Sequence, residues 1–186
     1  MVHQPIQGET VCGDAYGLFE CGDFVLAVVV DGLGHGPDAH AASEKAIGLV
    51  AANPRRSVES LLRHCHEALR TTRGAVMGVA RIDRHEQKMV YGGVGNIEAR
   101  LVGADKVRRP VSTNGIIGYN ARIFKIEVHP YVAGDMLLMH SDGISDGFSL
   151  PVSARGQDPQ LLAFQIAAAH GRLNDDQLLL IVTEKE

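Results

Sequence analysis

The stretch that decides the fold is Phe24-Val25-Leu26-Ala27-Val28-Val29-Val30-Asp31-Gly32-Leu33-Gly34-His35-Gly36. Its seven apolar residues predict a strand that is buried on both faces. The strand ends at Asp31, and a carboxylate at the tip of a buried strand costs free energy unless it is paired or binds a metal. The glycines that follow predict a sharp turn at Gly32 and room for a second segment or an anion at Gly34 and Gly36.

Two further aspartate motifs adjoin apolar runs. Asp142 follows the run 136–141 and opens Asp142-Gly143-Ile144-Ser145-Asp146-Gly147, and Asp175-Asp176 precede the run 177–182. If the three strands are neighbours, these carboxylates converge, and carboxylate and carbonyl oxygens select hard cations such as Mg²⁺ and Mn²⁺. Two such ions about 3.5–4 Å apart would hold phosphate oxygens and activate a water, which suits hydrolysis of phosphate esters.

The pattern of the remaining segments predicts an α+β fold. Hydrophobic periodicity and turn residues predict strands at 18–19, 24–30, 75–82, 89–93, 97–102, 124–128, 136–140 and 177–182. Helices are expected from Pro37 to Ala52, from an N-cap at Ser57 to about Arg70, and from Pro159 to Ala169. Helices and strands do not alternate strictly, so mostly antiparallel sheets with helices on their outer faces fit better than a doubly wound parallel sheet.

Composition excludes several classes of function. The 186 residues suit one domain spanning 1–186, and the 45% of apolar residues can form a core. A net charge of −4 gives no basic footprint for nucleic acid, and no apolar run is long enough to span a membrane. Three widely spaced cysteines and the lack of a leader peptide at the start predict a cytoplasmic protein, which we expect to be a monomer.

Four motifs appear in a characteristic order: Asp31-Gly32-Leu33-Gly34-His35-Gly36, Gly93-Val94-Gly95-Asn96, Ser141-Asp142-Gly143-Ile144-Ser145-Asp146 and Asn174-Asp175-Asp176. In these motifs the chain, from about Gly13 to Val182, resembles the metal-dependent protein phosphatases of the type 2C superfamily. Within that superfamily it most resembles the bacterial SpoIIE/RsbU/RsbX group, and in particular its stand-alone phosphatases of stress signalling. The resemblance implies a four-layer α-β-β-α sandwich with two central antiparallel sheets.

The resemblance also implies roles for individual residues. Asp31 would bridge two Mn²⁺ or Mg²⁺ ions, with the Gly32 carbonyl completing one site. Asp142 and Asp175 would bind one ion, and Asp14 would lie near the other. Asp146 is the candidate for a weaker third ion, and Asp176 either binds or supports the site.

The activity implied is direct hydrolysis of phosphoserine or phosphothreonine by an activated water, without a phosphoenzyme. The substrates implied are the phosphorylated STAS-domain proteins of the stressosome. His35 is the nearest candidate for a general acid, although a water could serve instead. The segment before Asp14 lacks the early arginine with which eukaryotic members grip phosphate.

Other functions remain open. A glycine-rich turn after a strand suggests dinucleotide binding, but Pro37 stands at the third glycine position and Asp31 would repel the phosphates. A catalytically weak or inactive module that binds phosphoproteins is the main alternative. Another acidic two-metal hydrolase is less favoured, because such enzymes usually mix histidines into their ligand motifs.

Overall fold

Two antiparallel sheets of five strands each dominate the computed structural model, which describes residues 1–184. The strands are β1 (Val2–Gln4), β2 (Asp14–Glu20), β3 (Phe24–Gly32), β4 (Ala75–Asp83), β5 (Lys88–Val94), β6 (Glu98–Val102), β7 (Val107–Arg108), β8 (Ile126–Pro130), β9 (Met136–His140) and β10 (Gln177–Thr183). The helices are α1 (Pro37–Ala52), α2 (Val58–Ala68) and α3 (Pro159–His170), with 3₁₀ turns at Leu69–Thr71 and Val152–Gly156. We name the sheet with order β2-β3-β4-β5-β8 sheet I and the sheet with order β1-β10-β9-β6-β7 sheet II.

The sheets stack face to face between helices, and this confirms the predicted α-β-β-α sandwich. Helices α1 and α2 contact sheet I, and α3 contacts β1 and β10 of sheet II. Successive residues of β3 point to opposite sides. Leu26 and Val28 face the helices, whereas Ala27 and Val29 face sheet II. Both faces of β3 are therefore buried, which explains its continuous apolar run.

Three apolar layers fill the spaces between these elements. The layer between the sheets includes Tyr91, Leu137 and Leu180, and the layer under α3 includes Leu138 and Leu162.

Within residues 1–184, no helix is both long and apolar enough to cross a membrane.

Local sequence signals fix the helix ends. Pro37 begins α1 in its first turn, as predicted. The Ser57 side chain accepts a hydrogen bond from Ser60 N at 3.2 Å, and Asp158 accepts one from Leu161 N at 2.7 Å. These N-caps satisfy backbone donors that the first helical turn leaves free.

The structure departs from the sequence-based expectations at the sheet edges. The two short edge strands β1 and β7 were not predicted, because a run of two or three residues carries no periodicity. Strand β8 begins at Ile126 rather than Phe124, and its Val128 is exposed. Edge strands lie half in solvent, so their apolar alternation is a weak guide.

Arg100 is a further departure. In β6 the side chain of Arg100 points to the face of the strand away from Ala99 and Leu101. In a half-buried strand that face would lie in water, yet Arg100 is fully buried. Its guanidinium donates to the carbonyl oxygens of Phe148 at 2.7 Å and Asp146 at 2.8 Å and lies 3.7 Å from the Phe148 ring centroid. The second face of sheet II is covered by the segment after β9, so the polar side of β6 lies inside the protein.

Candidate metal centre

Sheet I contributes two aspartates that stand directly opposite each other. Asp14 begins β2 and pairs in register with Asp31 near the end of β3. Side chains of paired residues in antiparallel strands lie on the same face of the sheet, so the two carboxylates are neighbours. Asp14 is almost completely buried, whereas Asp31 is partly open to a cleft.

Sheet II contributes the other two predicted ligands. Strands β9 and β10 are antiparallel neighbours, so the last residue of β9 and the first residue of β10 lie side by side at the same end of the sheet. Asp142 follows β9 and Asp175 precedes β10. Both side chains line the cleft that Asp31 lines. The topology therefore brings the four predicted carboxylates to one end of the sandwich.

Ser141 connects the two halves of this site. Its hydroxyl donates to Asp14 Oδ2 at 2.6 Å and accepts a hydrogen bond from Leu178 N at 3.2 Å. Since Asp14 belongs to sheet I and Leu178 to sheet II, this one buried hydroxyl fixes the spacing between the sheets where the carboxylates meet.

Asn96 acts similarly on Asp142. The turn between β5 and β6 carries it into the cleft, where its Nδ2 donates to Asp142 Oδ2 at 2.8 Å. Gly95 has a positive φ of 89°, and a Cβ there would lie 2.1 Å from Val76 Cγ1. The motif thus consists of the last two residues of β5, Gly93 and Val94, and a tight turn at Gly95 and Asn96, and its last residue contacts a candidate ligand.

The side chain of Asp176 accepts hydrogen bonds from two backbone N–H groups. Its Oδ1 accepts from Ile6 N at 2.8 Å, and its Oδ2 accepts from Gly13 N at 2.9 Å. Both carboxylate oxygens thus hold the segment that leads into Asp14. These contacts favour a supporting role for Asp176 over metal binding.

The glycines after the two strand-end aspartates serve close packing. Gly32 lies within β3 without a positive φ, so the predicted sharp turn at this residue is wrong. A Cβ on Gly32 would lie 2.1 Å from the Ala39 carbonyl oxygen, and one on Gly143 would lie 1.8 Å from the Asp176 carbonyl oxygen. Gly34 and Gly36 do have positive φ, at 83° and 76°. The turn therefore lies at Gly34 to Gly36.

Asp14, Asp31 and Asp175 carry raised pKa values. Burial is the largest cause at Asp31, and the neighbouring Asp14, Asp142 and Asp175 add repulsion, which together raise its pKa to about 9. Burial also raises the pKa of Asp14 to about 7, although the Ser141 hydrogen bond opposes the shift. The pKa of Asp175 is raised by burial first and by Asp142 second. Such mutual repulsion is relieved when a cation binds.

The cleft above these carboxylates has a volume of about 510 Å³. No lysine or arginine side chain is among the described residues that line it, and its polar residues besides the aspartates are His35, Asn96 and Asn114. His35 Nδ1 lies 2.8 Å from Glu9 Oε1. The segment Thr113–Asn120 lines the cleft through Asn114 and Gly115. The segment Leu150–Gln157 lies beside α3.

Asp146 is separate from this group. It is exposed and does not line the cleft, and its backbone carbonyl accepts from Arg100. The structure therefore brings together Asp14, Asp31, Asp142 and Asp175 and leaves Asp146 outside the cleft, in the middle of the loop after β9.

The chemistry of the donor set fits a hard divalent cation. Carboxylate oxygens dominate the site. Within residues 1–184, no cysteine lines the cleft, and no lysine or arginine lines it to compensate the negative charge of the carboxylates. Within residues 1–184, no three Asp, Glu, His or Cys side chains are already close enough to enclose an ion. We expect the flexible carboxylate side chains to draw together on binding.

Three contact residues escaped sequence reasoning. Asn96 ends a motif that was interpreted as a turn, and Ser141 precedes Asp142 without a signal of its own. Glu9 lies in an irregular segment, and no pattern in the neighbouring sequence indicates that it contacts His35.

Known proteins share this sequence and architecture. A family model described as Stage II sporulation protein E (SpoIIE) matches residues 22–184. Phosphoserine phosphatase RsbX of Bacillus subtilis (strain 168) is 26% identical over 140 residues, which cover 75% of this chain and 70% of that protein.

Solved structures agree with the sequence matches. A chain from the structure described as "The bacterial stressosome: a modular system that has been adapted to control secondary messenger signaling" superposes with a TM-score of 0.90 at 33% identity, covering 97% of this chain and 95% of that one. RsbX in complex with magnesium gives a TM-score of 0.84 at 23% identity, covering 97% and 90%, and shows the shared fold. Fold, motif order and family model agree: the chain belongs to the SpoIIE family of PP2C-type phosphatase domains.

Proposed function

We propose that this protein is a divalent-metal-dependent phosphatase of phosphoserine and phosphothreonine in proteins. The observation that carries the proposal is the convergence of Asp14, Asp31, Asp142 and Asp175 at one end of the sandwich, where no lysine or arginine within residues 1–184 lines their cleft. Family membership supports a protein phosphatase, and RsbX, a relative, is a phosphoserine phosphatase.

The residues that would hold the ions are the four aspartates and the Gly32 carbonyl. In this proposal Asp31 would be shared by both ion sites, Asp14 and the Gly32 carbonyl would contribute to one, and Asp142 and Asp175 would contribute to the other. Bound Mg²⁺ or Mn²⁺ would supply charge neutralisation of the phosphoryl group and a more acidic water. A weaker third ion at Asp146 stays a prediction, and the absence of Asp146 from the cleft lining within residues 1–184 weighs against it.

The chain's own residues have further roles in this proposal. Asn96 and Ser141 hold Asp142 and Asp14 in place, and the Asn114 amide lines the cleft, where it would contact the phosphoprotein. His35 would give a proton to the leaving serine or threonine oxygen. Because no arginine within residues 1–184 lines the cleft, binding of the phosphate group relies on the ions and on the Asn114 amide.

The substrates we propose are phosphorylated STAS-domain proteins of the stressosome, whose dephosphorylation would reset stress signalling. The similarity to RsbX and to a chain of a stressosome structure supports this pathway. We also propose a cytoplasmic monomer, and the unbridged Cys12, Cys21 and Cys65 support a reducing compartment.

One observation favours a second candidate, a phosphoprotein-binding module with weak or no catalysis. No lysine or arginine within residues 1–184 lines the cleft to bind the phosphate group. In that case the protein would bind metal and phosphoprotein but release no phosphate.

The test is phosphate release from a phosphorylated STAS-domain protein with Mn²⁺, with chelator, and with Asp31→Asn. We expect release only with metal, and a loss of at least ~10²-fold in Asp31→Asn, because electrostatic contributions at the reacting centre are of this size. Asp105→Asn is the matched control, since Asp105 is exposed and pairs with Arg108 away from the cleft. Metal-bound protein without any release would favour the binding module, and a fully active Asp31→Asn variant would exclude the bridging role.

A further inference from the structure

A glutamate from outside the predicted motifs contacts the histidine of the cleft. Glu9 Oε1 lies 2.8 Å from His35 Nδ1, and their side chains are 29% and 61% exposed. A carboxylate only accepts hydrogen bonds, so Nδ1 is the protonated nitrogen in this contact. The other ring nitrogen, Nε2, is left free of Glu9.

The position of Glu9 is built into the fold on two sides. A Cβ on Gly36 would lie 3.0 Å from Glu9 Oε1, so the carboxylate rests against the backbone of the loop that carries His35. The flanking residues Ile6 and Gly13 donate to Asp176, and Glu9 N donates to Ile6 O at 3.1 Å. The segment with Glu9 is thus tied to the residue next to Asp175.

His35 is the side chain in the cleft that is suited to proton transfer. Among the described cleft residues the aspartates are the candidate ligands, and the Asn96 and Asn114 amides do not titrate. His35 is the one imidazole there. Arg73 approaches the same loop, within 2.9 Å of where a Cβ on Gly34 would lie, but it pairs with Asp38 at 3.0 Å.

We propose that Glu9 is a positioning residue that holds the His35 ring so that Nε2 serves the cleft as the proton donor. This inference rests on the proposed phosphatase function. In the reaction a water oxygen forms the new bond to phosphorus as the bond to the serine oxygen breaks. His35 reacts as the imidazolium, protonated at both ring nitrogens. Its Nε2 gives its proton to the serine oxygen and the ring stays protonated at Nδ1 against Glu9, while the attacking water gives a proton to solvent, which later reprotonates Nε2.

A measurement independent of activity tests the contact itself. Long-range ¹H–¹⁵N NMR at a pH where the imidazoles are neutral reports which ring nitrogen keeps the proton, and this is the form of His35 that remains after Nε2 has given its proton. We expect His35 to be protonated at Nδ1 in the wild-type protein and to lose this preference in Glu9→Ala. In Glu9→Gln the side-chain carbonyl still accepts from Nδ1, so the preference should persist. An identical His35 spectrum in wild type and Glu9→Ala would overturn the proposal.

A comparison of leaving groups tests the catalytic part. With Mn²⁺ and a phosphoserine peptide, we expect Glu9→Ala to lower kcat about tenfold and His35→Gln about 100-fold with little change in KM, since general acids contribute on this scale. The p-nitrophenolate ion leaves without a proton, so the losses on p-nitrophenyl phosphate should be roughly tenfold smaller. Glu67→Ala, an exposed glutamate on α2 that pairs with Arg70, is the control for loss of a surface charge.

The outcomes separate this inference from the function on which it rests. Equal losses on both substrates, or a rise in KM alone, would show that Glu9 merely shapes the loop, which contradicts the proposal. If the wild-type protein with Mn²⁺ hydrolyses neither substrate, the phosphatase function fails and the proton-donor role fails with it. The NMR comparison would then still decide whether Glu9 holds the ring.

Discussion

Asp31 concentrates the electrostatic cost of the site, so its removal should stabilise the metal-free protein. Its folded pKa of about 9 lies above the ordinary 3.8. Between these values the folded state binds more protons than the unfolded chain, so stability falls as pH rises through this window. In chelator we expect Asp31→Asn to exceed the wild type in free energy of unfolding, by a gap that widens on the order of 1 kcal/mol per unit between about pH 5 and about pH 8.

Urea denaturation at a series of pH values measures this gap. Asp105→Asn removes an exposed carboxylate outside the site and should show no such widening. A gap that stays constant over the pH range would mean that Asp31 is ionised equally well in the folded and unfolded states.

Asn96 should matter for metal affinity although it is not a candidate ligand. Its Nδ2 holds Asp142 Oδ2 at 2.8 Å, and partners that orient a ligand typically change metal affinity 10- to 100-fold. We expect Asn96→Ala to raise the Kd for Mn²⁺ about tenfold in calorimetric titration. Asn114→Ala is the matched control, because Asn114 lines the same cleft but donates to no carboxylate within residues 1–184. Equal Kd values for the two variants would count against the orienting role.

At the scale of elements, the contact between β3 and α1 depends on Gly32. A Cβ there would lie 2.1 Å from the backbone oxygen of Ala39, which has no flexible side chain to move away. We therefore expect Gly32→Ala to push α1 from β3 and to lower the free energy of unfolding by about 3 kcal/mol or more, as severe overpacking does.

The same helix offers the opposite case. Gly48 is an exposed residue within α1, and a Cβ there would meet nothing within 4 Å. Gly48→Ala should raise stability by about 0.5–1 kcal/mol, because alanine restricts the unfolded chain and favours the helix. Thermal unfolding of both variants tests the pair, and a well-tolerated Gly32→Ala would show that α1 is free to shift.

The elements were largely predictable because their signals are local. The strands with long apolar runs and the helices with Pro37, Ser57 and Asp158 at their starts follow from neighbouring residues alone. The burial of Arg100 does not follow from the alternation in β6, because it depends on a distant segment that covers sheet II. The bounds of β8 were predicted two residues too early, since an edge strand has water on one side.

At the scale of the whole molecule, the site was predictable only in part. The aspartates were found because each adjoins an apolar run. The topology then brings the ends of those strands to one end of the sandwich. Glu9, Asn96 and Ser141 were missed because their partners lie 26, 46 and 127 positions away in sequence. Contacts of such separation exist only once both sheets have formed.

Because the candidate ligands come from both sheets, metal binding should stabilise the molecule as a unit. Asp14 and Asp31 belong to sheet I, whereas Asp142 and Asp175 flank strands of sheet II. We expect Mn²⁺ at about 100 times its Kd to add roughly 2.7 kcal/mol to the free energy of unfolding. Asp31→Asn should lose most of this gain.

Hydrogen exchange can show where the stabilisation acts. Ions held by both sheets should slow exchange at the end of β3 and at the start of β10 together, and less at the opposite end of each strand. Protection confined to one sheet would mean that the ion is held by that sheet alone. In that case the carboxylates of the other sheet would contribute repulsion without coordination, and the two-ion arrangement would have to be given up.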